Sequence, residues 1–428
     1  MVGKKTTGLL AAAAAASASV IDLPVHIQNT YVSPQNSNPN LNPKLTIIPQ
    51  SSVEFQIGTP PKPYRLLFDT GSSTAWLTNS DCTASSCLNS SGFNRTLYDA
   101  AQSSSSVDLG SAATIGYIDG DGVTGAALRD AFADEKETVS WNQTFLSANT
   151  SSWRFITADG FLGLGFSSIA ENATSSLVET LLWDGKLDAP RFALFYGTDL
   201  RDEADGAAQD GVLTIGGSHE DKYVDGDGVV YAPLRKEDPY QLWRAPLRTI
   251  TVLATGTNET VVLRNNGKLP PTSSGGFINN NVGANASLGL YGNGRAVFDT
   301  GAGRIQVPRE LVDTVYYNLG WNNSKLLSGE ERFECRHLNA SWALAFALGD
   351  GAVEDDVVVA IRGDEFVRPG DQCMPPVDDS GTDGFALIGA TFLRRFYSVF
   401  DFGADKVEAY QPRIGFGRLK KEYDYLYQ

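Results

Sequence analysis

From Leu45 onward, apolar residues fall in short runs rich in valine, isoleucine, phenylalanine and threonine, broken by glycine, asparagine, aspartate and serine. That rhythm predicts strands joined by tight turns, and so an all-β fold. Two helices interrupt it. Leu177, Val178, Leu181 and Leu182 make one apolar face after a capping Ser175, and Gly185 stops it. Pro308 opens the other through Leu311, Val312 and Val315, ending at Gly320. A charged, alanine-rich stretch from Arg201 to Asp210 divides the strands, so two β lobes are expected, residues 45–205 and 206–428. Ahead of them, residues 1–18 carry Lys4 and Lys5, an alanine-leucine run and Ala16-Ser17-Ala18, the pattern of a signal peptide. Residues 19–44 are polar and rich in proline and asparagine, and read as an extended arm or short pro-piece. Asp119-Gly120-Asp121-Gly122 and Asp225-Gly226-Asp227-Gly228 read as hairpin turns, because Val123 and Val229 occupy the third ligand position of an EF-hand loop.

One turn departs from this pattern. In Leu67-Phe68-Asp69-Thr70-Gly71-Ser72 a carboxylate stands between an apolar strand and a glycine turn, where burial is costly unless chemistry requires it. Alone it is ordinary turn composition. It recurs in the other half as Val297-Phe298-Asp299-Thr300-Gly301-Ala302. Gly163 follows Asp69 by 94 residues and Gly389 follows Asp299 by 90, the near-equal spacing that a duplicated lobe predicts. Two carboxylates brought together cannot both ionise cheaply, so one keeps a proton and the pair titrates as a unit. A water between them can lose a proton to the ionised member while the other polarises a carbonyl.

The stretch from Phe55 to Leu77, the glycine-rich segment led by Gly116-Tyr117, Asp159 to Phe166 and Phe385 to Asp401 together resemble the pepsin-like aspartic proteases. The resemblance implies a bilobal fold with two pseudo-symmetric β lobes, and an endopeptidase whose catalytic residues are Asp69 and Asp299. It implies that Thr70 and Thr300 lock the two loops together, with Gly71, Ser72 and Gly301 supporting the pair. Tyr117 matches the flap tyrosine that closes over substrate, steadied by Trp76. Leu67, Trp76, Phe161, Val297 and Leu387 fall where such enzymes line their pockets, which implies hydrophobic residues on both sides of the cut. Asp119 stands where some fungal relatives with an aspartate accept lysine before the scissile bond. No metal or other cofactor is implied. Three residues depart from the pattern: Ile118 replaces a glycine, Ala302 lacks a usual hydroxyl, and Arg304 replaces an apolar residue.

The formal charge of −16 argues against a nucleic-acid partner, which needs a concentrated basic face. No run is long enough to span a membrane. Asn-x-Ser/Thr triplets at Asn89, Asn94, Asn142, Asn149, Asn172, Asn258, Asn285, Asn322 and Asn339 fit an exported glycoprotein, secreted or bound for a vacuole. Four cysteines in such a chain imply two disulfides among three pairings. The resemblance selects Cys82–Cys87 and Cys335–Cys373. His26, His219 and His337 are scattered, and no second close cysteine pair completes a zinc site. The expectation is a monomer acting on polypeptides. Its rival is a non-catalytic protein binder of the same fold; such relatives typically lose an aspartate or the flap tyrosine, and here Asp69, Asp299 and Tyr117 are all present.

Overall fold

The computed structural model describes residues 19–32, 46–254, 286–289, 294–367 and 373–425. Residues 1–18, and with them the expected signal peptide, lie outside the described residues, as do Asn258 and Asn285.

Each half of the chain closes on the same three-strand unit. Lys62–Asp69 pairs in parallel with Gly160–Gly163, placing Asp69 opposite Gly163, and the latter pairs antiparallel with Trp76–Thr78. In the second half Arg295–Phe298 pairs in parallel with Phe385–Ile388, placing Phe298 opposite Ile388, and the latter pairs antiparallel with Ile305–Val307. The repeat in spacing is therefore a repeat in strand register. These strands are buried on both faces, which is why they read as continuous apolar runs rather than alternating ones.

A shared sheet joins the halves. Its order is Val224–Pro233, Arg413–Leu419, Phe396–Asp401, Arg191–Phe195, Gly211–Ile215 and Ile21–Val32, and it continues through Thr46–Ile57 into the first lobe. Ser398 lies opposite Leu194, so second-half and first-half strands are hydrogen-bonded neighbours. The two lobes form the all-β bilobal architecture, with a few short helices at its margins. No helix among the described residues is long and apolar enough to cross a membrane.

Four expectations change. Residues 19–44 do not form a loose arm throughout, since Ile21–Val32 is a strand paired with both Gly211–Ile215 and Thr46–Ile57. Ile21, Leu23, Val25 and Ile27 alternate inward, and the intervening polar residues are more exposed. Arg201 to Asp210 connects two adjacent strands of the shared sheet, so it divides the chain without dividing that sheet. Asp225 to Gly228 is not a hairpin turn; it is a bulge inside Val224–Pro233, where the register with Arg413–Leu419 shifts. The cap of helix Leu177–Trp183 is Ser176, while the Ser175 hydroxyl lies 2.7 Å from that of Thr180. Pro308 does precede a helical turn that continues as Val312–Asn318, and Gly320 ends it with φ +87°.

Two histidines fasten the first strand. His26 Nδ1 lies 3.2 Å from Glu203, and His219 Nε2 lies 2.9 Å from Asp22. Disulfides join Cys82 to Cys87 and Cys335 to Cys373.

Candidate active site

The parallel pairing in each half ends at an Asp-Thr-Gly turn, and the two turns face each other. Thr70 Oγ1 donates to Phe298 O at 2.7 Å and accepts from Thr300 N at 3.0 Å. Reciprocally, Thr300 Oγ1 donates to Phe68 O at 2.9 Å and accepts from Thr70 N at 3.0 Å. Four hydrogen bonds across residues 228 to 232 apart in sequence fix the separation of the carboxylates they carry. The glycines are required by closeness: a Cβ on Gly71 would meet Asp299 Oδ2 at 2.5 Å, and one on Gly301 would meet Asp69 Oδ1 at 2.6 Å.

Donors around the two acids differ. Asp69 accepts from Gly71 N at 2.8 Å and from the Ser72 hydroxyl at 2.5 Å. Asp299 accepts only backbone N–H groups, Gly301 at 2.8 Å and Ala302 at 3.3 Å. Burial, then the charge of Asp69, then a hydrogen bond between the two carboxyls hold Asp299 well above the usual carboxylate range. The pair thus retains a proton and titrates as a unit.

The hairpin of Val107–Gly116 and Gly122–Asp134 overhangs this pair. Its turn is closed by Gly120 N donating to Tyr117 O at 3.0 Å, with Gly120 at φ +90°. Tyr117 Oη accepts from Trp76 Nε1 at 2.8 Å. Burial and the Asp69 charge hold the Tyr117 phenol far above its ordinary range, which keeps it a neutral hydrogen-bonding group. Ile118 at the tip is 71% exposed.

A cleft of about 850 Å³ runs between flap and lobes. Phe161, Val297 and Leu387 line it, as does Asp119. Leu67 and Trp76 do not. They pack behind its wall, with Trp76 fully buried against Phe161 at 5.1 Å between ring centroids. Trp153, which no sequence motif singles out, completes the aromatic wall, edge-on to Tyr117 at 5.2 Å and 5.1 Å from Phe161. The only signal for it is its place just before the Asp159-Gly160 element. Arg304 lines the cleft and forms a fork with Asp378, at 2.5 and 3.0 Å, while its Nη2 reaches Pro375 O.

Beneath Gly160–Gly163, the buried Asp159 carboxylate accepts from Arg65 N at 2.7 Å and Thr96 N at 2.5 Å. Burial nevertheless pushes it up to about 6, against those bonds and the Arg65 and Arg95 charges.

The family model of the eukaryotic aspartyl proteases matches residues 52–265 and 280–411. Among curated proteins the chain is 26% identical over 368 residues to a probable vacuolar protease A of Trichophyton verrucosum, covering 83% of this chain and 76% of that one. It is 25% identical over 369 residues to a vacuolar aspartic protease of Candida albicans, covering 84% and 74%. A gastricsin of Cavia porcellus is 23% identical over 365 residues, covering 83% and 78%. The match spans both lobes and both turns that meet in the cleft, so this chain belongs to the eukaryotic aspartyl protease family and is a pepsin-like aspartic endopeptidase.

Proposed function

We propose that Asp69 and Asp299 are the catalytic pair of an exported endopeptidase that prefers hydrophobic residues around the cut. The observation carrying this reading is the abutting pair of carboxyls, one of which keeps its proton because the other is charged. A water held between them loses a proton to Asp69 as it attacks the peptide carbonyl, and Asp299 donates its hydrogen bond to the developing oxyanion. The tetrahedral intermediate collapses when a proton passes to the leaving amine. Thr70, Thr300, Gly71, Gly301 and Ser72 hold the geometry, and Tyr117 closes over the substrate from the flap. Phe161, Val297 and Leu387 supply the apolar surface behind the preference. Leu67 and Trp76 contribute by supporting that wall.

Export is supported by the two disulfides and by the sequons. All of the asparagines in described sequons, Asn89, Asn94, Asn142, Asn149, Asn172, Asn322 and Asn339, are exposed. Secretion fits both features, with the vacuole as the alternative destination that the names of two relatives suggest. The protein acts as a monomer on polypeptides. The test is digestion of an unstructured protein from about pH 3 to about pH 7, with and without pepstatin. Pepstatin-sensitive internal cleavage is the expected result; its absence throughout that range would leave a binding protein of the same fold.

A further inference from the structure

One residue of the cleft wall, Tyr425, lies beyond the family match, which stops at residue 411. After the strand Arg413–Leu419 the chain turns through a short 3-10 segment, Lys421–Tyr423, and runs back toward the cleft. Its course is pinned at each step. Lys420 N donates to Tyr223 O at 2.9 Å and Lys420 Nζ to Asp221 O at 2.8 Å. The Tyr423 ring packs edge-on to Tyr223 at 5.0 Å and Phe195 at 5.7 Å. Asp424 then accepts two hydrogen bonds from Arg395, at 2.5 and 2.8 Å. Arg395 is 3% exposed and also donates to the buried Glu365 at 3.0 Å, which accepts from Arg418 at 3.3 Å.

A desolvated charge network of this kind is costly if any member is missing, so it specifies one placement of the chain. The placement it specifies brings Tyr425 to the cleft wall beside Phe366, Thr391 and Arg394. Tyr425 is 9% exposed, its Oη donates to Glu365 O at 3.5 Å, and Arg395 Cζ lies 5.0 Å from its ring centroid. Glu365 belongs to the turn just ahead of Phe366 and Val367, which also line the cleft. One network therefore holds both the terminal segment and the neighbouring wall.

We infer that Tyr425, held in place by Lys420–Asp424, is a specificity-determining residue of the substrate-binding wall that limits the depth open to a substrate side chain there, with Asp424 its positioning residue. The subsite beside Tyr425 accepts aliphatic side chains and discriminates against the bulkiest aromatic ones. The inference rests on the endopeptidase reading above.

The experiment profiles a peptide library, randomised at each position around the cut, with the wild type, Tyr425→Ala, Tyr425→Trp and Asp424→Asn. At one position Tyr425→Ala should raise kcat/KM for tryptophan relative to alanine by about tenfold, the scale at which a hydrophobic pocket separates side chains by size. Tyr425→Trp should shift the same position the opposite way. Asp424→Asn should shift it in the direction of Tyr425→Ala and by less, through KM rather than kcat. A role confined to stability would lower the yield of folded enzyme and leave every preference unchanged. If the Tyr425 variants cleave with preferences that overlay the wild type, the inference is overturned and the endopeptidase reading stands. Wild type without pepstatin-sensitive cleavage would overturn both. Tyr425→Trp leaves no cavity and gives up only the long 3.5 Å hydroxyl contact to Glu365 O, so it keeps the test decisive even if Tyr425→Ala fails to fold.

Discussion

The loops at Asp69 and Asp299 end the same pair of parallel strands and share four reciprocal hydrogen bonds, yet their surroundings differ in three places. Ser72 gives the first carboxylate a hydroxyl, whereas Ala302 gives the second only a long backbone contact of 3.3 Å. Arg65 in the first lobe lies opposite the buried carboxyl of Asp159, whereas Arg295 in the second lies opposite Phe385, its guanidinium 5.5 Å from the ring. Among the described residues, a flap with an acidic turn covers the pair from the first lobe. Duplication supplies matched geometry, and the unmatched side chains decide how protons and charge are shared across it.

Removing either half of the pair breaks that sharing most severely. Asp69→Asn or Asp299→Asn should lower kcat by about a thousandfold or more, since neither general base nor general acid can be supplied by the amide. Both variants should keep the wild-type unfolding temperature to within a few degrees, because Asn retains an acceptor for the Gly71 or Gly301 N–H. Residual turnover near wild type in a folded variant would mean that the two carboxyls do not act as one unit.

The lobe difference at Asp159 should appear in stability. With a folded value near 6 against an ordinary 3.8, the folded state binds more protons than the unfolded state between those limits. Stability is then greatest in acid and falls as pH rises through about 6, by about 3 kcal/mol in all. Asp159→Asn removes this contribution, so the stability of the variant relative to wild type should rise between about pH 4 and about pH 7 by most of that amount, roughly 2 kcal/mol. Denaturant unfolding at the two pH values checks it. The variant forfeits one acceptor for the Arg65 and Thr96 N–H groups, so it should be the weaker protein at the acid end.

Ala302 tests the loop difference directly. The new hydroxyl of Ala302→Thr, donated to the charged form of Asp299, contributes roughly 1.5–3 kcal/mol where it forms fully, and about 1.4 kcal/mol corresponds to one pKa unit. Because the pair ionises as a unit, the acid limb of the kcat/KM profile should move toward lower pH in the variant, with about one unit as the upper bound. Arg304 does not oppose this, because its guanidinium is committed to Asp378. Ser72→Ala should move the same limb toward higher pH. A limb that stays in place in both variants would show that the hydroxyls do not set the working range.

How much of this could be read from the chain follows from which interactions are local. The carboxylate pair was legible because each Asp breaks the apolar pattern of its strand, and the repeat supplies the partner. Tyr117 and its tryptophan were legible from motif position. The first strand was not, because Pro24 and His26 interrupt the alternation of Ile21, Leu23, Val25 and Ile27, and its partners lie far along the chain. Leu67 shares a strand with Asp69 and Trp76 pairs opposite Phe161, but which side of a doubly buried strand meets the cleft depends on packing that no period records. The partner of Arg304 lies 74 residues away, and Tyr425 reaches the wall only through the fork that Arg395 extends to Asp424.

The flap supplies the smallest expected effect. Asp119 borders the cleft from the first lobe, with Asp121 N donating to its Oδ1 at 3.1 Å. Partial desolvation at the cleft edge raises its pKa above the ordinary carboxylate value, and the charges of Asp121 and Asp69 add to the rise. A substrate lysine before the scissile bond would meet an ionised Asp119 only above that raised value, and a neutral carboxyl below it. The kcat/KM ratio for lysine over leucine at that position should therefore increase as pH rises through the titration of Asp119, where the enzyme remains active. Because the carboxylate is exposed, the ion pair contributes about 0–1 kcal/mol, so the increase should not exceed about fivefold. In Asp119→Ser the ratio should be lower and flat across the same range, and added salt should lower the wild-type ratio toward it. A wild-type ratio that is independent of both pH and salt would show that lysine, where it is accepted, is held by the apolar wall along its stem rather than by the flap.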